Sequence, residues 1–476
     1  MFPRRAQIFW MMLTAGLAAA LRAAGPIFPA PLPEMRIPGF RFPETEATLT
    51  SWVAAMTRER ADRPAATANI QLHGWGLWAA VTAETAQSYE GQPLRVFETW
   101  QTPQELAVIS TASASAPTSS AFVRTRAPLR TLRRMRLDAA IAEPQSNADE
   151  SNAIDRVLGF VKFDPTSAAH IASQRLLART TLDALLDGGA AQVPPFPATT
   201  LVVKPVFQVI AAKDLVDGRY YALKVWSGPP ATPQSAPPTS WVGCVWIDLL
   251  EGGEGSGAID LAAAADGSSR TDATTYPLTS LLHFRLSAGD AAALNLSKPG
   301  TNAAAGDNAI LVAMHVTGRE IARWTWHTFW WTPDADAPPA PSSPAIARSR
   351  PAQLRGPARH YAMALAYTMV TPDQPYLGGE NSGAPVYAYN PYIEAKLSPV
   401  ELPDSLPGLD GHGGITGNNF GVQSNCMSCH ARANYNPHLR STAPRFAGAR
   451  YSDLIDPQFV GTLQVDFLWS LARHAQ

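Results

Sequence analysis

The chain has 476 residues, 46% of them hydrophobic and 16% charged, with 38 Lys and Arg against 39 Asp and Glu and a formal net charge of −1. So even a balance gives no general attraction to nucleic acid or to anionic membrane. The 42 prolines argue against long helical bundles, because proline breaks helix interiors, and the length allows two or three domains.

The first 25 residues, "MFPRRAQIFWMMLTAGLAAALRAAG", place Arg4 and Arg5 ahead of an apolar stretch from Ala6 to Leu21, followed by small residues. That is the layout of a secretory signal peptide. The apolar run falls short of the roughly 20 residues a bilayer span needs, and Arg22 interrupts it. Residues 1–25 are therefore expected to be removed, leaving a periplasmic or secreted protein with no stable membrane span.

Residues 26–194 form a mixed N-terminal region. "PIFPAPLPEMRIPGFRFP" reads as extended and proline-rich, and "TLTSWVAAMTRERADR" has helical spacing. "SAAHIASQRLLARTTLDALLDGG" reads as one helix closed by Gly188 and Gly189. Before it, six arginines between Arg124 and Arg136 lie in a long loop, either a solvated basic stretch or a docking patch for an acidic partner.

Residues 195–335 read as β-rich. "TTLVVKPVFQVIA", "YYALKVWS", "WVGCVWIDLL", "LLHFRLS", "AILVAMHV" and "IARWTWHTFWW" are strand candidates by their β-branched and aromatic content, with Pro, Gly and Ser clusters between them. Strands in succession without helices suggest an antiparallel, sandwich-like arrangement. Cys244, expected to share a strand face with Val242 and Trp246, is read as an inert buried thiol. A hairpin turning at Gly318-Arg319 would put His315 opposite Ala322 and His327 opposite Ile310. The two histidines are then five rungs, or about 17 Å, apart and could not share a metal ion. Trp324, Trp326, Trp330 and Trp331 either expose an aromatic face or pack a core or interface.

Residues 336–358 read as a linker. Residues 359–476 open with "YAMALAYTM", read as a short helical piece, and close with "LQVDFLWSLARHAQ", where Val465, Leu468, Trp469 and Ala472 share a helical face.

Between these lies "SNCMSCHARANY", which holds Cys426 and Cys429, two of the three cysteines in the chain, with His430 directly after. Cys-x-x-Cys-His is the attachment signature of c-type haem: two thiols form thioethers to the porphyrin and the histidine binds the iron. A zinc site commonly needs four ligands, and the remaining cysteine is far away. A thioredoxin-like pair would stand at a helix start in a βαβ pattern, whereas "GLDGHGGITGNNFGVQSN" precedes this one. One covalent haem c is therefore expected, loaded by the cytochrome c maturation machinery. Arg432, Arg440, Arg445 and Arg450 follow the motif, and Arg432 and Arg440 are candidate partners for haem propionates. The sixth iron ligand, if the protein supplies one, is sought among His412, His438, His474, Met363 and Met369. His412 in "DGHGGITG" is the first choice, because glycine permits the turns needed to approach a flat ring.

"NPYIEA", "SNCMSCHARANY" and "VDFLWSLA" resemble the C-terminal part of a group of secreted bacterial monohaem c-type cytochrome proteins of uncharacterised function. "LHGWGLWAAVT" with "FETW" resembles blocks in the same group. The resemblance implies one haem and a large non-haem portion and names no substrate. The fold expected is α+β: a β-rich, antiparallel centre with a small, mostly irregular or helical C-terminal haem domain. Electron transfer to a redox partner of unknown identity is the leading role. A haem-dependent oxidoreductase acting on a small molecule, or a ligand-binding module with a sensory haem, would account for the large non-haem portion.

Overall fold

A computed structural model describes residues 27–57, 63–111, 157–159, 161–230, 236–297, 301–372, 384–396, 425–438, 453–455 and 459–475. The expected leader, the arginines between 124 and 136, His412, Arg440, Arg445 and Arg450 lie outside these residues.

Strands β1 (Glu84–Tyr89) and β2 (Gln92–Arg95) pair as a hairpin. A central seven-stranded sheet takes β3 (Val157–Gly159), β4 (Lys162–Phe163) and β5 (Leu201–Ile210) from the first half of the chain. Strands β6 (Leu215–Val216), β7 (Tyr220–Leu223), β8 (Val245–Asp248) and β9 (Thr275–Pro277) form a second sheet in which β8 and β9 run parallel. Strands β10 (His283–Arg285), β11 (Asn308–Gly318), β12 (Thr325–Trp331) and β13 (Tyr361–Ala366) complete the central sheet. Its order is β13-β12-β11-β5-β3, with β10 on β11 and β4 on β5, all antiparallel. Two short pairs follow, β14 (Val370–Thr371) with β15 (Ala384–Pro385) and β16 (Asn434–Tyr435) with β17 (Leu463–Gln464). The fold is mixed α+β with a large strand content, as the sequence suggests.

Every residue of β12 is buried, and only His315 of β11 is partly exposed. A sheet covered on both faces cannot show the alternation of a half-exposed one, which is why these strands read as continuous apolar runs. One face is covered by the 20-residue helix Arg63–Thr82. Trp78 stacks on Phe329 with ring centroids 4.3 Å apart, and Trp75 lies 5.7 Å from the same ring. The helix comes this close because of Gly74, where a Cβ would stand 2.7 Å from Met363 Sδ and 2.8 Å from His327 Cδ2. A mid-helix glycine costs roughly 1 kcal/mol. Burying an aromatic side chain of about 200 Å² at about 25 cal/mol per Å² contributes several times that.

Four local expectations change. The hairpin does not turn at Gly318-Arg319. Residues 319–324 connect the strands, and the register sets His315 opposite Thr328 and Val316 opposite His327. His315 and His327 are thus on adjacent rungs and on opposite faces, so the sheet itself separates them. "YAMALAYTM" is not helical, because Tyr361–Ala366 is strand β13 and belongs to the central sheet. The single helix expected after residue 165 is two, Pro165–Gln174 and Arg179–Asp187, parted at Arg175, which takes a left-handed φ of 52°. Val242 is 64% exposed and lies outside β8, so it shares no strand face with the buried Cys244 and Trp246.

The stretch 336–358 is packed rather than loose: carbonyls of Ala340, Ile346 and Ala358 accept the indole N–H of Trp226, Trp75 and Trp78. Among the described residues no helix is long and apolar enough to cross a membrane.

Candidate functional site

The Cys-x-x-Cys-His motif folds as a short helix, Cys426–His430, capped by Asn425. Asn425 Oδ1 accepts the N–H of Met427 at 2.9 Å and of Ser428 at 3.3 Å, satisfying donors that a helix start leaves open. Its Nδ2 donates to the carbonyls of Thr368 at 3.0 Å and Val386 at 2.8 Å. One buried side chain thus starts the turn and moors it to the segment after β13. On this turn Cys426, Cys429 and His430 stand at i, i+3 and i+4, one side of a helix. Cys426 Sγ–H points to the Ala388 carbonyl at 3.2 Å.

His430 Nδ1–H donates to the Phe467 carbonyl at 2.7 Å, which fixes the tautomer and leaves Nε2 as the lone-pair nitrogen. Burial pushes the imidazole pKa down to about 3, so the ring is neutral, the form that binds a metal. The accepting carbonyl sits in an unusual backbone. Asp466 and Phe467 have φ of 43° and 65°, a left-handed pair that costs about 1–3 kcal/mol per residue without glycine. The Asp466 carboxylate offsets that cost. It accepts the Phe196 N–H at 2.9 Å, Arg319 Nε–H at 3.2 Å and Trp324 Nε1–H at 3.2 Å. Trp326 of β12 then packs its ring 4.3 Å from that of His430.

Beside Trp326 on the same sheet face, the register sets His315 between Thr328 and Lys204. His315 Nε2 lies 3.0 Å from Glu394 Oε1, while Glu394 Oε2 accepts the Asn390 N–H at 2.6 Å. Asn390 in turn donates to Thr328 Oγ1 and the Phe329 carbonyl. Burial raises the Glu394 pKa, but the facing His315, the Asn390 N–H and Lys204 outweigh it and hold the carboxyl below its usual value. Burial lowers the Lys204 pKa, against the opposing pull of Glu394. The blocks 390–395, 425–435 and 465–472, separate in sequence, therefore meet around one histidine.

The thiols distinguish among the chemistries open to two cysteines. Burial, and then the nearby Glu394 charge, pushes Cys429 up to about 11 and Cys426 well above its ordinary value. A dithiol redox pair is activated by the opposite shift. Neutral thiols beside a neutral histidine with a fixed tautomer suit thioether attachment and imidazole ligation, so the residues present fit a c-type haem.

The other candidates fall in different places. Arg432 is buried just past the motif helix. Met363 is in register with Phe329 and packs at Gly74, on the sheet face away from His430. His474 Nδ1 is 3.2 Å from Gln104 Nε2, and His438 is exposed. Met369 is fully buried, next to the Thr368 carbonyl that holds Asn425. Trp324, Trp326, Trp330 and Trp331 are all buried, so they pack the core and the contact with the motif rather than an exposed aromatic surface.

On the far face a second polar group was not foreseen. His327 Nδ1–H donates to the Val316 carbonyl at 3.2 Å, so its Nε2 accepts the Tyr367 hydroxyl at 2.7 Å. The Tyr367 oxygen then accepts His73 Nδ1–H at 2.6 Å, and His73 Nε2 lies 3.1 Å from Glu320 Oε1. The carbonyl, which can only accept, sets the direction of the whole chain.

Compared with known protein families, curated proteins and solved structures, the chain matches none.

Proposed function

We propose that the chain is a periplasmic or secreted c-type cytochrome carrying one haem, joined through Cys426 and Cys429, with His430 as the proximal iron ligand, and that it transfers electrons to a redox partner protein. The observation that carries this reading is the 2.7 Å hydrogen bond from His430 Nδ1–H to the Phe467 carbonyl, made on a Cys-x-x-Cys-His turn. A ligating histidine needs its second nitrogen held in this way, to fix the ring and raise its basicity. When bound, the haem iron supplies one-electron redox chemistry. Asn425 holds the turn that presents the two thiols. Asp466 holds the carbonyl that orients His430. Trp326 closes the inner side of the imidazole against water. Arg432 and Arg440 are the proposed partners of the propionates, and the leader at 1–25 would deliver the chain to the compartment where haem is attached.

The test is expression with a haem c maturation system, followed by haem staining on a denaturing gel. The wild-type band should keep its haem, and Cys426→Ala/Cys429→Ala should lose it. Haem extracted from the wild type by acid acetone, or retained by the double variant, refutes the attachment.

A further inference from the structure

We infer that, with haem bound, His315 would supply the second protein ligand to the iron in addition to His430; this rests on the haem reading above. Three observations converge on it. First, His315 lies on the sheet face that carries Trp326, the residue against His430, and is diagonal to Trp326 across β11 and β12. Second, its ring is held as a ligand's ring is held. One nitrogen faces Glu394 at 3.0 Å, and Glu394 is itself fixed by the Asn390 N–H at 2.6 Å. A carboxylate behind an imidazole orients it and strengthens its basicity toward a metal. Third, the other nitrogen, Nδ1, is buried and has no hydrogen-bond partner. A buried polar atom left unsatisfied costs about 1–3 kcal/mol, so such atoms call for a partner. An iron ion is a partner that an imidazole lone pair can take.

The same sheet shows what a merely structural buried histidine looks like. His73 and His327, on the opposite face, have both ring nitrogens bonded to protein groups. His315 and His430 each have one ring nitrogen bonded to a protein group, and the second nitrogen of His315 is buried without a partner. Lys204, in register with His315, is the neighbouring group that could compete for the iron, and the test includes it.

The experiment reads the spin state of the purified ferric holoprotein, with haem staining on a denaturing gel run alongside. Wild type should be low-spin and bind carbon monoxide poorly when reduced. His315→Ala should keep its covalent haem, turn high-spin and bind carbon monoxide readily. Added imidazole should restore the low-spin spectrum in His315→Gly, and an unchanged urea midpoint in the same variant should set the loss of the ligand apart from a folding defect. His315→Met should stay low-spin with a methionine-to-iron charge-transfer band, and Lys204→Ala should leave the spectrum unchanged. A high-spin wild type, a low-spin His315→Ala, or loss of the low-spin state in Lys204→Ala overturns the assignment while leaving haem attachment intact. A wild type without covalent haem overturns both.

Discussion

The two faces of the central sheet each carry a pair of histidines and treat them in opposite ways. On one face His73, His327, Tyr367 and Glu320 close a chain in which every nitrogen and oxygen has a partner. On the other, His315 and His430 are each fixed by one bond and left with a nitrogen to spare. Strand alternation makes this possible, since Trp326 and His327 are consecutive residues that serve different faces. Satisfied polar chains rigidify a core, whereas half-satisfied ones are costly and persist where something else completes them. Burial alone does not separate these two pairs; the number of ring nitrogens bonded to protein groups does.

Substitutions on either face should separate the two roles. Trp326→Ala removes a buried indole and should cost about 3–5 kcal/mol in urea unfolding, while also broadening the haem spectrum because His430 loses its packing partner. Tyr367→Phe leaves His327 Nε2 and His73 Nδ1 without their shared hydroxyl and should cost about 3 kcal/mol. Its haem spectrum should match wild type, and a changed spectrum would show that the two faces are coupled. Asp466→Asn should cost about 1–2 kcal/mol, because an amide cannot accept from Arg319, Trp324 and the Phe196 N–H together. It should also raise the reduction potential, as a less firmly held Phe467 carbonyl makes His430 a weaker donor.

A pH titration should find the closed face. Burial pushes the His327 pKa down to about 3, against about 6.5 in an unfolded chain. Above pH 6.5 neither state holds the proton and this group contributes no slope. Between 6.5 and 3 the unfolded state binds a proton that the folded state refuses, so stability falls as pH falls, by up to about 1.4 kcal/mol per pH unit. Urea midpoints at pH 7 and pH 5 should differ in this sense, and His327→Gln should reduce the difference, with His430 supplying the remainder where no iron is bound. His438→Ala, at an exposed position, should change neither stability nor spectrum by a measurable amount.

What was legible in the sequence is the part set by neighbours along the chain. Cys426, Cys429 and His430 stand together because one helical turn places them, and Asn425 caps that turn from the adjacent position. The strands announce themselves by residue type. The hairpin register was not legible, because Trp324 is held with a φ of 63° by Asp466, a residue 142 positions away. His315 was set aside for the same reason: its partner Glu394 is 79 residues further on, and the face it occupies follows from a register that only the tertiary contacts fix. Tyr361–Ala366 reads as helix because its alanines favour that form, and pairing with β12 overrides the preference.

The boundary at residue 359 has a consequence for anyone wishing to transplant the motif. Cut there, the C-terminal piece would carry Cys426, Cys429 and His430 away from Trp326 and from the three donors, on Phe196, Arg319 and Trp324, that hold Asp466. It would also take β13 out of the central sheet and leave Glu394 without His315. The motif is therefore not a portable cassette. A graft onto another scaffold would have to bring β11, β12 and the connection between them along with it.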